Sequence, residues 1–177
     1  MVVVTIATII LTSLVIQQSK WNDNLAVNTQ SYEMALMIRQ AQIYGLGVRE
    51  YTTGSGDRFN IAYGVYADKS TTNNAKQYIF FADANMNGSY DSGEAIETKI
   101  FNRGVTIDRV CGNTSENCSS PNAVSITFYR PDPKANMVFN PPTGFGPPAA
   151  IYLKSKNNKQ YKISVQANGQ VSVNPVP

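Results

Sequence analysis

The sequence contains no histidine. That removes the commonest general base, the commonest transition-metal ligand and every Ser–His device. Charge is scarce too: charged residues make up 15% of the chain and the formal net charge is only +3. So small and scattered an excess does not by itself argue for nucleic acid. There are only two cysteines, Cys111 and Cys118, with no further soft ligand beside them for a metal. Their spacing fits one bridge in an oxidising compartment, the alternative being two free thiols. No Ser-Lys or nucleophile-elbow arrangement stands in a fitting context, and no enzyme is expected. Glycine and proline are missing from Val2 to Tyr44, so nothing there breaks a helix.

What fills that stretch is apolar. Val2, Val3, Val4, Ile6, Ile9, Ile10, Leu11, Leu14, Val15 and Ile16 alternate only with alanine, threonine and serine. The hydroxyls of Thr5, Thr8 and Thr12 can bond back to the helix backbone. A secretory signal would need a basic start and a small-residue cleavage site, and neither is present. A plain membrane anchor would need ~20 apolar residues, and this run is shorter. A third reading is a helix that sits first in a membrane and later among other helices. The chain beyond the run favours it, because the helical pattern continues.

A single helix is expected from about residue 2 to 44, about 65 Å long. Leu25, Thr29, Tyr32, Leu36, Ile43 and Leu46, with Ala35 and Ala41 beside them, recur at helical spacing and predict the face that packs on a head. Gln30, Arg39, Gln40 and Gln42 predict the polar face. Gly45 and Gly47 are expected to end the helix. The chain thus divides into a helix over 1–47, with an apolar half 1–20 and an amphipathic half 21–47, and a β-rich head over 48–177. In the head, period-two patterning predicts strands at 59–66, 77–82, 95–101, 106–110, 123–129, 149–154, 160–166 and 170–173. Turn-forming clusters separate them, including 53–57, 70–74 and 156–159. Asn168-Gly169 predicts a two-residue hairpin, and the proline-rich 140–148 stretch a loop.

One head segment carries a metal pattern. Asp83, Asn85, Asn87, Gly88 and Glu94 occupy the fixed positions of an EF-hand loop. Side chains of Asp83, Asn85, Asn87, Asp91 and Glu94, with the Ser89 carbonyl, would hold Ca²⁺ with modest affinity. An ordinary Asn/Gly/Ser turn is the competing reading. Lys154, Lys156, Lys159 and Lys162 cluster near the C-terminus, where a solvated hairpin is the plainer reading than a nucleic-acid surface.

The apolar start and its unbroken helix resemble the N-terminal segment of type IV pilin-like proteins. The phrase Ala35-Leu36-Met37-Ile38-Arg39-Gln40-Ala41-Gln42-Ile43-Tyr44-Gly45 resembles the helix end of their H-type minor pseudopilin branch. Ser125-Ile126-Thr127-Phe128-Tyr129-Arg130-Pro131 resembles a late strand and its exit there. Tyr161-Lys162-Ile163-Ser164-Val165 and Asn168-Gly169-Gln170-Val171-Ser172-Val173 resemble its closing hairpin. The resemblance implies an α+β pilin-like fold, with a long N-terminal helix packed on an antiparallel β-rich head. It implies a subunit held in the inner membrane, trimmed by a prepilin peptidase and joined through an assembly platform to copies of itself in a surface filament. The family's Gly-Phe-Thr-Leu-type cleavage site and following Glu are not among these residues. On this resemblance Met1 falls inside the mature helix, and several more apolar residues before it would bring the run to ~21, enough to span a bilayer. The alternatives are a minor tip subunit that binds DNA or a secreted substrate, and a membrane-anchored calcium-binding head.

Overall fold

The computed structural model describes residues 2–47, 61–113, 118, 121–142 and 144–176. For Ile16, Ser19 and Lys20 it describes the backbone alone. The expected turn at 53–57 and the first residues of the strand expected at 59–66 lie outside this set.

The helix α1 spans Val2–Leu46. It passes through Gly45 and ends at Gly47, whose N–H reaches the Ile43 carbonyl at 2.9 Å. Gly45 therefore does not terminate the helix. It lies where a Cβ would collide with the Phe128 carbonyl and side chain, so glycine lets the helix approach a strand closely.

Among the described residues, nine strands follow: β1 (Ala62–Asp68), β2 (Gln77–Asp83), β3 (Ala95–Ile100), β4 (Thr106–Gly112), β5 (Ala123–Phe128), β6 (Ala135–Asn140), β7 (Ala149–Lys154), β8 (Gln160–Val165) and β9 (Val171–Val176). A short 3-10 turn, Asn74–Lys76, precedes β2. Every strand pair is antiparallel. One sheet has the order β3-β2-β1-β5-β6, the other β4-β7-β8-β9. The fold class is α+β.

The period-two pattern decides which face of each strand meets the core. Tyr63, Val65 and Ala67 of β1, Tyr78 and Phe80 of β2, and Val124, Ile126 and Phe128 of β5 join one hydrophobic cluster. Ile151, Leu153, Ile163 and Val165 of the second sheet join the same cluster. The helix supplies Val27, Met34 and Ile38 to it, each fully buried. So α1 packs on β1 and β5 of one sheet and on β8 and β9 of the other.

Two local expectations are corrected. The β8–β9 connection is not a two-residue hairpin. Gln166 N–H bonds the Gln170 carbonyl at 2.9 Å, leaving a three-residue loop with Gly169 at φ 85°. A three-residue loop needs one left-handed position, and Gly169 supplies it. The strand β6 was not expected. Pro131, Pro133, Pro141 and Pro142 flank it and read as loop, but it lies at a sheet edge, paired with the wholly buried β5.

Candidate functional site

The apolar half of α1 stands clear of the head. Val2, Val3, Val4, Ile6, Ile9, Ile10, Leu11, Leu14 and Val15 are all exposed, while the side chain of Ile16 lies outside the described residues. The threonine hydroxyls within the run turn inward on the helix. Thr5 donates to the Val2 carbonyl at 2.7 Å, Thr8 to that of Thr5 at 2.8 Å, and Thr12 to those of Thr8 and Ile9, each at 2.9 Å. The outer surface of the run therefore presents little but hydrocarbon. Among the described residues, no helix is long and apolar enough to cross a membrane.

The second half of α1 corrects the expected faces. The predicted packing stripe points outward: Leu25 is 56% exposed, Tyr32 53%, Leu36 61% and Ile43 67%. The head instead buries Ala26, Val27, Gln30, Ser31, Met34, Ala35, Met37, Ile38 and Ala41. Small residues on this face let the backbone come close, and Val27, Met34 and Ile38 fill the core. The residues predicted to face solvent include the polar ties to the head. Asn102 N–H donates to Gln30 Oε1 at 3.0 Å, and Gln30 Nε2 donates to the Asn102 carbonyl at 3.1 Å. Arg39 Nη2 donates to the Val171 carbonyl at 3.3 Å, and Gln42 Nε2 to that of Pro133 at 3.2 Å. Asp23 meets Arg103 at 3.6 Å near the start of this half. Both faces share a 3.6-residue period. The signal that could have separated them is the run of small residues Ala26, Ser31, Ala35 and Ala41 beside the glutamines.

The outward stripe has heptad character, with steps of three, four or seven residues between Leu25, Thr29, Tyr32, Leu36, Ile43 and Leu46. It continues the apolar half along the same helix. Trp21, between them, is also exposed.

The 83–94 loop leaves β2, crosses the face of the sheet away from α1 and returns into β3. Its order comes from side chains that imitate backbone turns. Asp83 is fully buried. Its Oδ1 accepts Asn87 N–H at 3.1 Å, and its Oδ2 accepts Gly88 N–H at 2.8 Å and the Tyr129 hydroxyl at 2.7 Å. Burial first, and then the bond to Asp83, push the Tyr129 phenol up to about 12. Asn85 Oδ1 accepts Asn87 N–H and Asn87 Oδ1 accepts Ser89 N–H, at 3.1 and 2.7 Å. Asp91, fully exposed, accepts the side-chain amides of Asn85 and Asn87 at 2.8 and 2.7 Å. Those two bonds hold its carboxyl below the ordinary value of 3.8. Glu94 is buried, its oxygens accepting Ala84 N–H and Asp91 N–H, both at 2.9 Å. Gly88 has φ 80°, and a Cβ there would strike Asn136.

The loop thus closes on itself through hydrogen bonds. Among the described residues, no three His, Cys, Asp or Glu side chains gather closely enough to hold a metal ion. An ion held by Glu94 would compete with the two backbone N–H groups that its oxygens accept.

Cys111, at the end of β4, is bonded to Cys118 with a Cα–Cα distance of 4.6 Å. Of the clustered lysines, Lys154 pairs with Asp108 at 3.7 Å and Lys162 lies 5.8 Å from the centre of the Tyr152 ring. No family model matches the chain, and no curated protein or solved structure matches it either.

Proposed function

We propose that this chain is a structural subunit of a type IV pilus or pseudopilus, with a pilin-like fold, built into a surface filament through α1. One observation carries the reading. A single helix exposes apolar side chains all round its first half and along one stripe of its second, while its other face is tied to an outward β-rich head. Burying a Leu or Ile side chain stabilises by roughly 1.5–3 kcal/mol relative to water. A run of six Leu or Ile and four Val residues on each subunit would favour helix–helix burial strongly. The heptad-spaced stripe from Leu25 to Ile43 gives a neighbour's apolar half a seam to lie along.

On this reading the subunit rests in the inner membrane before assembly and passes through a prepilin peptidase and an assembly platform. No catalytic role is assigned to it. Electron microscopy of filaments sheared from the cell surface, followed by mass spectrometry, tests the reading. Finding this chain in the filaments supports it; filaments that lack the chain count against it.

Calcium in the 83–94 loop is a separate proposal, supported by the nested bonds of Asp83, Asn85 and Asn87 at the positions a calcium loop requires. Asp83, Asn85, Asn87, Asp91 and Glu94, with the Ser89 carbonyl, would be its ligands. Because Asp83 and Glu94 already accept protein donors, the affinity expected is in the weak extracellular class. Calorimetric titration with Ca²⁺ separates the outcomes. The proposal expects heat from the intact chain that is lost in Asp91→Ala; equal heats, or none from either, remove it.

A further inference from the structure

The sheet face away from α1 holds a cleft. Tyr63, Val65, Ala67, Tyr78 and Phe80 point to the core, so the alternating residues Tyr66, Asp68, Gln77 and Ile79 line the opposite face. The register sets Tyr66 against Ile79, and Asp68 beside Gln77 one step on. Tyr90, from the 83–94 loop, closes one side. Its N–H donates to Ser125 Oγ at 3.1 Å, and its ring lies 5.0 Å from that of Tyr66 and 5.5 Å from that of Phe81. Asn74, in the 3-10 turn, closes the other side. The cleft, open to solvent on one side, has a volume of about 290 Å³ and is lined by Tyr66, Asp68, Asn74, Gln77, Ile79 and Tyr90. That is the lower end of the range for ligand pockets and suits one ring-sized group.

The lining divides into apolar walls and fixed polar groups. Asp68 is buried and held rigid: Oδ1 accepts Ser70 N–H at 2.6 Å, and Oδ2 accepts the Ser70 hydroxyl at 2.8 Å and Asn74 Nδ2 at 2.6 Å. Among the described residues, neither Asn74 Oδ1 nor the Gln77 amide has a hydrogen-bond partner in the protein. Burial first, and then the Asp68 carboxylate, push the Tyr66 phenol up to about 12, so at neutral pH it remains an uncharged donor. Among the described residues, no lysine or arginine lines the cleft. A phosphate-bearing ligand would meet Asp68 without a compensating cation, which disfavours nucleic acid. The best fit is an uncharged ring with one C–H face for a phenol and hydroxyls for planar amides.

We infer that this cleft binds a hexopyranose unit of a glycan, its C–H face against the tyrosines and its hydroxyls on Gln77 and Asn74. The inference stands apart from the filament reading, because the cleft lies wholly within the head.

The test uses the full chain in micelles of a zwitterionic detergent that carries no sugar. The methyl glycosides of glucose, mannose, galactose and N-acetylglucosamine are the probes, with an oligothymidine as control, read by saturation-transfer NMR and titration. At least one glycoside should bind. Gln77→Ala, a half-buried substitution at a strand end, should weaken that binding about tenfold through lost neutral hydrogen bonds. Ile79→Trp, which fills the cleft, should abolish it, while circular dichroism shows the sheets of both variants retained. The inference is overturned if no glycoside binds or if only oligothymidine does. It is overturned equally if Ile79→Trp or Gln77→Ala binds as tightly as the original chain. Should Ile79→Trp fail to fold, Gln77→Ala decides alone.

Discussion

Val27, Met34 and Ile38 lie fully buried against the head, whereas Ile9, Leu11 and Val15, on the same helix and no less apolar, are 67%, 61% and 66% exposed. Helical propensity does not separate these halves, since both lack glycine and proline up to Tyr44. What differs is the partner. The second half carries small residues that fit the head, with Gln30 and Gln42 tied to its connecting segments and Arg39 to β9. The first presents mostly hydrocarbon, and its described apolar side chains are exposed. A helix of this kind is half a fold: one end is stabilised by its own head, and the other needs a non-aqueous environment supplied from outside.

The comparison breaks most visibly by truncating one side chain on each half. Met34→Ala should destabilise the head by about 2–5 kcal/mol, because the cavity left in a filled core collapses only partly. Ile9→Ala should leave head unfolding unchanged. Denaturant unfolding in detergent, followed by the near-ultraviolet signal of the head, checks both. Similar losses in the two variants would mean that the apolar half is not independent of the head. Gln30→Ala comes next, at about 1 kcal/mol, since it removes both hydrogen bonds to the Asn102 backbone, whose carbonyl keeps Val105 N–H at 3.1 Å. Leu36→Lys, on the outward stripe, should shift head unfolding by less than about 0.5 kcal/mol while impairing assembly. A large loss of head stability would show that the stripe serves the head after all.

The smallest effect is a proton titration that reports whether the head loop keeps its form. NMR should find Asp91 titrating below 3.8 in the intact chain and in Ile9→Ala, and returning towards 3.8 when Asn85 and Asn87 are both replaced by alanine. A depressed folded-state pKa contributes stability above the unfolded value and loses it as pH falls through the folded one. Any acid weakening of the loop from this group should therefore set in as pH falls through about 3.8 and be complete below the folded-state value.

How much of this was legible in the sequence depends on whether the signal was local. The helix from residue 2 and the strand at 149–154 follow from periodicity and the absence of breakers, and both stand in the structure. The orientation of the second half of α1 did not follow. Leu25, Leu36 and Ile43 form one helical stripe, while Val27, Met34, Ile38 and Ala41 form another. Period alone cannot say which meets the head, and the bulkier stripe proved to be the outer one. Gly45 misled for a related reason. It permits close approach to Phe128, a contact made 83 positions along the chain, and so mimics a stop signal without being one. The strand β6 was hidden because its support comes from β5 and its flanks are prolines. The cleft lined by Tyr66, Asn74, Gln77 and Tyr90 joins three separate stretches, and no spacing rule announces it. In the 83–94 loop the pattern located the turn, but the roles of Asp83 and Glu94 as acceptors of backbone N–H groups needed coordinates to be seen.

The most direct test is sedimentation velocity of the full chain as detergent is withdrawn. If the apolar half and the outward stripe exist to be covered by copies of the same helix, the chain should pass into large assemblies, and Leu36→Lys should shift them towards smaller species. A chain that stays a monodisperse monomer in plain buffer, with its head folded, would contradict the account at its root.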